Sequence, residues 1–314
     1  MKRADTIRSP VQRLLRNIRA YRALLLMLLP GVVVFFLFNY LPMFGVIIAF
    51  KKIDYSLGIL RSPFVWLDNF RFLFATSDAW RITRNTLIYN LVFIACDVFL
   101  AVGIAVLMRE IWRPAASKLY QTIIIMPYFL SMVVVAYLAY GFLNPDYGYF
   151  NKLLESLGLN KIQWYYEPKY WPFILPFIHF WKSLGYRSVV YLAAIAGLDK
   201  ELYEAAVIDG AGKWAQMTRI TLPQLIPTMV VMFLLALGNI FRADFGLFYQ
   251  VTMNSAMLYN VTDVIDTYVY RALIQMNNIG MSSAASVYQS VVGAITVICA
   301  NLIVRKLDSS QALF

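Results

Sequence analysis

Three cations, Lys182, Arg187 and Arg242, lie inside otherwise apolar stretches, accompanied by only two acids, Asp97 and Asp244. In the segment FIHFWKSLGYRSVVY, His179, Lys182 and Tyr186 recur at i, i+3, i+7, so a helix presents them on one face, with Arg187 beside it. Asn239 and Arg242 repeat the i, i+3 spacing further on, and Tyr137 and Tyr140 do so earlier. Charge in an apolar span is costly, so such residues face a cavity or a partner and mark solute paths. Cations in a wet cavity suit a carboxylated solute, because charge-assisted hydrogen bonds are stronger than neutral ones. An alternative pairing satisfies the same residues internally: Lys182 or Arg187 with Asp97 or with carbonyls of a partner chain, and Arg242 with Asp244.

Catalytic chemistry finds little support. The chain has one histidine and two cysteines, Cys96 and Cys299, both in apolar runs that suggest small buried hydrophobes. No ligand-spaced set for a metal exists, nor the Gly-x-x-x-x-Gly-Lys loop that cradles nucleotide phosphates. We therefore expect no enzyme, and no metal or other cofactor in this chain.

The elements that hold these residues are apolar helices. Of 314 residues, 61% are hydrophobic and 14% charged, against about 25% charged in an ordinary soluble domain. Apolar runs near the length needed to cross a bilayer, about 20 residues, predict an all-α membrane protein with six spans: 23–49, 85–108, 119–143, 172–195, 227–248 and 284–304. Pro30, Pro42, Pro127, Pro172, Pro176 and Pro227 mark kinks or ends. Trp66, Trp80, Trp164 and Trp171 suit an interfacial belt. If the fourth span begins near Pro172, Lys182 lies about 15 Å deep, near the middle of a roughly 30 Å core. Carriers tend to hold solute at that depth.

Orientation follows from the loops. With the N-terminus inside, the inner segments hold fifteen lysines and arginines and the outer ones ten. Seven of the fifteen fall in residues 2–22. This bias predicts cytoplasmic termini, with 109–118 and 196–226 inside and 51–83, 144–171 and 249–283 outside. The run from Ala23 to Phe50 is too long for a signal peptide and reads as a retained first span. Residues 1–22 form a basic segment, with an interfacial helix over Ile7–Tyr21 or a plain orientation signal as the two readings. Residues 23–306 form one membrane domain, and 307–314 a cytoplasmic tail. The long outer segment 249–283, with its tip at Asn254–Asn260 and a short helix around Asp266–Gln275, reads as a docking element for an external protein.

One inner segment is not membrane-like: EAAVIDGAGKWAQMTRITLP, Glu204 to Pro223. Asp199 is placed to cap a helix over Lys200–Ile208, with Leu198 and Tyr203 as a hydrophobic staple. Gly210 and Gly212 end it. A second short helix, Lys213–Ile220, then leads to Leu222-Pro223, and Pro227 opens the next span. Ala205 and Ala206 leave a smooth face for a neighbour, with Glu204 at its edge.

The spacing of Glu204-Ala205-Ala206, Gly210, Ile220 and Leu222-Pro223 resembles the EAA signature of ABC importer permeases. The stretches LPGVVVFFLFNYLPMFGVIIAF, DTYVYRAL and GMSSAASVYQSVVG are similar to permeases of the carbohydrate-uptake type. More narrowly, they resemble the subfamily serving complex or acidic oligosaccharides. The resemblance implies a type I importer fold, in which this hairpin is the coupling helix that docks in a cytoplasmic ATPase. It also implies a second, homologous permease, two ATPase subunits that bind ATP and Mg, and an external solute-binding lipoprotein at a bacterial cell membrane. Tyr137 and Tyr140 carry rings that can stack on sugar faces, with packing as the alternative role in a chain of 21 tyrosines. The alternative function is a secondary transporter of a small solute working without an ATPase, which needs coupling carboxylates within the spans.

Overall fold

The computed structural model describes residues 20–307 except 76 and 112, so the basic segment before residue 20, most of the expected interfacial helix and the tail from 308 lie outside the described residues. The described chain is helical, with only an isolated bridge between Lys51 and Phe64. Among the described residues four helices are long and apolar enough to cross a membrane: α1 (Arg22–Phe50), α2 (Ser77–Arg109), α7 (Lys213–Leu237) and α9 (Ile279–Lys306). A bent pair, α3 (Ala115–Phe129) and α4 (Met132–Leu143), makes a fifth if counted as one span. Helix α5 (Trp171–Ala196) has 26 residues, about 39 Å at 1.5 Å per residue. Its polar content, including His179, Lys182 and Arg187, keeps it outside the apolar set. Two shorter helices bear on the site, α6 (Lys200–Ile208) inside the expected coupling hairpin and α8 (Ile265–Ile274) in the expected outer segment.

Helices α2 and α5 are the central pair. At one end Ala101, Val102, Ala105 and Val106 of α2 pack with Tyr191 and Ile195 of α5 and Leu225 of α7. Towards the other end Tyr89 and Phe93 meet Leu175, Ile178 and the fully buried Trp171. Small residues let helix backbones approach where no hydrophobic drive separates protein from lipid. Gly185 is the sharpest case: a β-carbon there would lie 2.0 Å from the carbonyl oxygen of Ile124 on α3.

Four spans depart from expectation. The third, expected as one helix over 119–143, turns by 96° after Phe129. Pro127 has no N–H to continue the ladder, Leu130 is extended, and Ser131 restarts the chain by accepting from Val134 N at 3.3 Å. The fifth starts earlier and stops sooner than 227–248. Its helix runs unbroken from Lys213, because a wide turn over Met217–Thr221 accommodates Pro223. It ends at Leu237, and a further turn resumes at Gly246–Val251. The second and sixth begin at Ser77 and Ile279, several residues before the apolar runs.

Two smaller expectations also fail. Trp171 is completely buried, its indole donating to Trp164 O at 2.8 Å, so it serves the core and not a lipid belt. Cys299 is exposed and Cys96 half-buried. Over Arg22–Phe35 the first helix buries no side chain against the described residues, and apolar residues are exposed right around it.

Candidate functional site

The hairpin forms as its local chemistry dictates. Asp199 caps α6 by accepting from Glu201 N at 2.9 Å. At the far end Ala211 N donates to Ala206 O at 2.8 Å and Gly210 N to Val207 O at 3.0 Å. That bond pair needs a left-handed residue, and Gly210 supplies it with φ +78°. Gln216 Nε2 fixes the turn by donating to Ala211 O at 2.8 Å. Glu204 and Ala205 are exposed and Ala206 is half-buried. Beside them Val207 is 61% and Ile208 86% exposed, an apolar edge next to the carboxylate. Ile220 and Leu222 are half-buried and Pro223 is exposed, all on α7. The expected second short helix is therefore the first part of a membrane helix, so the hairpin's far arm and α7 are one body.

The cations within the apolar region separate into three situations. Asp97 Oδ2 on α2 lies 3.1 Å from His179 Nε2 and 3.2 Å from Arg187 Nη2. The His179 ring stacks flat on Phe93, centroids 3.9 Å apart. His179 and Arg187 thus tie α5 to α2; the Arg187 pair is one the sequence left open, and the His179 contact was not anticipated. Lys182 turns elsewhere: its Nζ donates to Tyr128 O at 2.8 Å, while Tyr186 stacks on the Tyr128 ring at 4.2 Å. The carbonyl of Tyr128 sits at the break between α3 and α4, so Lys182 braces the bend. The face predicted for His179, Lys182 and Tyr186 is thus divided between two neighbours, α2 and the bend.

Arg242 is different. It sits with Asn239 on the unwound stretch between Leu237 and Gly246, and both are exposed. Among the described residues it forms no ion pair. The expected alternative partner, Asp244, instead accepts from Leu247 N at 3.1 Å.

Irregular backbone within a membrane protein requires partners for its freed groups, and three elements supply them. Asn90 Nδ2 on α2 donates to Ile240 O at 2.8 Å and to Arg242 O at 3.1 Å. Gln289 Nε2 on α9 donates to Phe241 O, and Ala243 N donates to Asp266 Oδ2 at 2.7 Å. Burial holds the Asp266 carboxyl above the usual carboxylate range, partly offset by the hydrogen bonds from Ala243 and Gln289 and, more weakly, by the nearby charge of Arg242. Sequence reasoning missed Asn90, Asp266 and Gln289. Their signal was an isolated amide or acid at a helical position otherwise rich in apolar residues.

Of the aromatic candidates, Tyr137 on α4 is 68% exposed. Tyr140 lies half-buried between Tyr147 and Tyr165, at 6.5 and 5.5 Å. Among the described residues no three of His, Cys, Asp and Glu are grouped to hold a metal.

Residues 97–309 match the family of binding-protein-dependent transport system inner membrane components. The chain belongs to this family. It is a membrane permease, and the alternative of a secondary transporter working alone falls away. Protein LplB of Bacillus subtilis (strain 168) is 34% identical over 291 residues, covering 93% of this chain and 91% of that one. The polygalacturonan/rhamnogalacturonan transport system permease protein YteP of the same organism is 35% identical over 300 residues, covering 94% and 91%. Among solved structures, the chain is similar to one from a bacterial ABC transporter involved in the import of the acidic polysaccharide alginate. That match has a TM-score of 0.85 and 33% identity, and covers 94% of this chain and 99% of the other. A second match, at TM-score 0.84 and 33% identity, is from an alginate transporter in complex with an alginate pentasaccharide-bound periplasmic protein. At this coverage the likeness runs along nearly the whole chain, as a helical membrane permease with several apolar helices.

Proposed function

We propose that this permease imports an acidic oligosaccharide, delivered by an external binding protein and driven by partner ATPases through the hairpin at α6. That it serves carbohydrate import follows from its family and its relatives; the acidic solute is our reading. Arg242 carries that reading: an exposed cation without an ion pair among the described residues, displayed with Asn239 on an unwound turn within the permease. Discontinuous helices are where carriers commonly hold solute. Relatives named for polygalacturonan, rhamnogalacturonan and alginate support a carboxylated sugar. Tyr137, exposed on α4, offers a ring for stacking.

The working unit is a heterodimer with a second permease, two ATPase subunits holding ATP and Mg, and a solute-binding lipoprotein. Among the described residues none buries a side chain of α1 over Arg22–Phe35, which supports a permease partner, since a second subunit can cover that surface. The plan is six spans with both termini in the cytoplasm, α5 and the bent α3–α4 pair each serving as one. Coupling rests on Glu204, Ala205, Ala206, Gly210, Ile220, Leu222 and Pro223, a capped helix with a smooth exposed face. A two-state machine needs such a rigid element to follow its motor.

The test is reconstitution with the neighbouring permease, ATPase and binding protein in sealed vesicles. ATP-dependent uptake of a uronic-acid oligosaccharide is expected, together with protection of a cysteine at position 213 from an impermeant reagent in right-side-out cells. Uptake of neutral glucans alone removes the acidic solute. Labelling at position 213 inverts the topology.

A further inference from the structure

Of the nine residues of α6, only Tyr203 is buried. The guanidinium carbon of Arg109 stands 3.7 Å from the centre of its ring. Its hydroxyl lies 3.0 Å from Thr221 Oγ1, and Arg109 Nη1 donates to that same oxygen at 3.0 Å. Thr221 is 1% exposed and has Gln216 O within 3.5 Å as a further acceptor. A threonine hydroxyl has one proton and two lone pairs. It can therefore accept from Arg109 and Tyr203 and donate to Gln216, leaving none of its capacity unused. The three side chains come from the last residue of α2, the middle of α6 and the wide turn within α7.

We propose that Arg109, Tyr203 and Thr221 are the positioning residues that carry displacement of the hairpin into the membrane helices. This rests on reading the hairpin as the ATPase-docking element. Without the joint, α6 is tied to the membrane helices by two short links, Gly197–Asp199 and the turn Asp209–Gly212, where the bond from Gln216 to Ala211 O is the one side-chain brace described for the turn. A push on α6 is then absorbed as rotation. With the joint, α6, α2 and α7 move as one body. The nearby Lys213–Glu110 pair, 3.1 Å long with side chains 66% and 38% exposed, is a poor substitute, because exposed ion pairs contribute little. The same α2 that ends at Arg109 carries Asn90, which clamps the unwound turn bearing Arg242. The two lie about 28 Å apart at 1.5 Å per residue. One rigid helix therefore links the hairpin joint to the stretch that displays the candidate solute cation.

The experiment measures sugar imported per ATP hydrolysed by the reconstituted full complex, with co-purification of the ATPase as a second readout. Arg109→Gln should retain the ATPase and its basal hydrolysis while import per ATP falls about tenfold, an ordinary size for coupling between two sites. Arg109→Lys should recover much of the loss, since an ammonium still sits over the ring. Tyr203→Phe and Thr221→Val should each lower the ratio, and the double variant should be no worse than the poorer single, because both break one joint. A normal ratio in Arg109→Gln and Tyr203→Phe overturns the proposal, as does loss of ATPase binding in Tyr203→Phe. If Arg109→Gln fails to accumulate, Tyr203→Phe, which deletes one hydroxyl, decides alone. Glu204→Lys serves as the separate control: retention of the ATPase there defeats the docking reading, whatever the joint variants do.

Discussion

Lys182 on α5 donates to the backbone carbonyl of Tyr128, 2.8 Å away, at the point where α3 breaks from α4. A cation at the end of a helix meets carbonyls that have lost their partners, so this lysine stabilises a bend that Pro127 begins. An ammonium has three protons, one of which is used here, and the residue remains half-buried. Replacing Lys182 with Met should cost about 0.5–1.5 kcal/mol by removing this hydrogen bond, read as a lowered thermal midpoint of the detergent-solubilised permease. Lys182→Arg should restore that stability. If the lysine also meets solute, uptake of uronic-acid oligosaccharide should fall further than uptake of a neutral one in Lys182→Met. Equal losses for both would confine Lys182 to the bend.

Arg242 should separate from it in the same assays. It is exposed and holds no ion pair among the described residues, so Arg242→Gln should change stability by less than about 0.5 kcal/mol. Acidic-oligosaccharide uptake should drop about tenfold, the value of one charge-assisted hydrogen bond. Asn90→Leu should behave in the opposite sense: it frees the carbonyls of Ile240 and Arg242 and destabilises the turn itself. An Arg242→Gln variant with unaltered uptake of acidic and neutral sugars alike would remove the residue from the path.

The contrast between hairpin and spans shows what the sequence could carry. The hairpin was legible because its determinants are local: Asp199 caps two residues ahead, and Gly210 closes a bond pair spanning six residues. The break in the fifth span was not, because its stability depends on Asn90, Asp266 and Gln289, far away in sequence. Until those groups are seen to satisfy the freed backbone, an apolar run from Pro227 to Phe248 reads as one helix. Arg187 was half legible. Its need for a partner followed from its apolar setting, and Asp97 was named as one option, but only packing of α5 on α2 chose between solute and carboxylate. Trp171 was misread because an aromatic near a span end looks the same whether it faces lipid or core.

For the hairpin, two substitutions should uncouple the permease by different routes. Glu204→Lys reverses the charge beside the exposed apolar edge at Val207 and Ile208. Gly210→Pro cannot adopt the positive φ that its bond to Val207 requires, and it removes the N–H that makes it. Both variants should reach the membrane at normal levels but show little substrate-stimulated ATP hydrolysis. Affinity of the external binding protein for sugar should not move. Full stimulated hydrolysis in both would separate this hairpin from the motor.

The tip expected to face outward requires a gentler test than deleting Asn254–Asn260. Leu258 is fully buried, Ser255 Oγ donates to Tyr165 O at 3.0 Å, and Tyr259 donates to Asn254 Oδ1 at 3.0 Å. Shortening the tip would thus pull a core residue out, and Leu258→Ala alone should cost about 2–5 kcal/mol. Met257, 61% exposed beside that anchor, is the position a docked binding protein can meet without loss to the core. Met257→Lys should leave stability and ATPase association intact while raising, several-fold, the concentration of loaded binding protein that half-saturates uptake. An unchanged saturation curve in Met257→Lys would show that the binding protein docks elsewhere on the outer face.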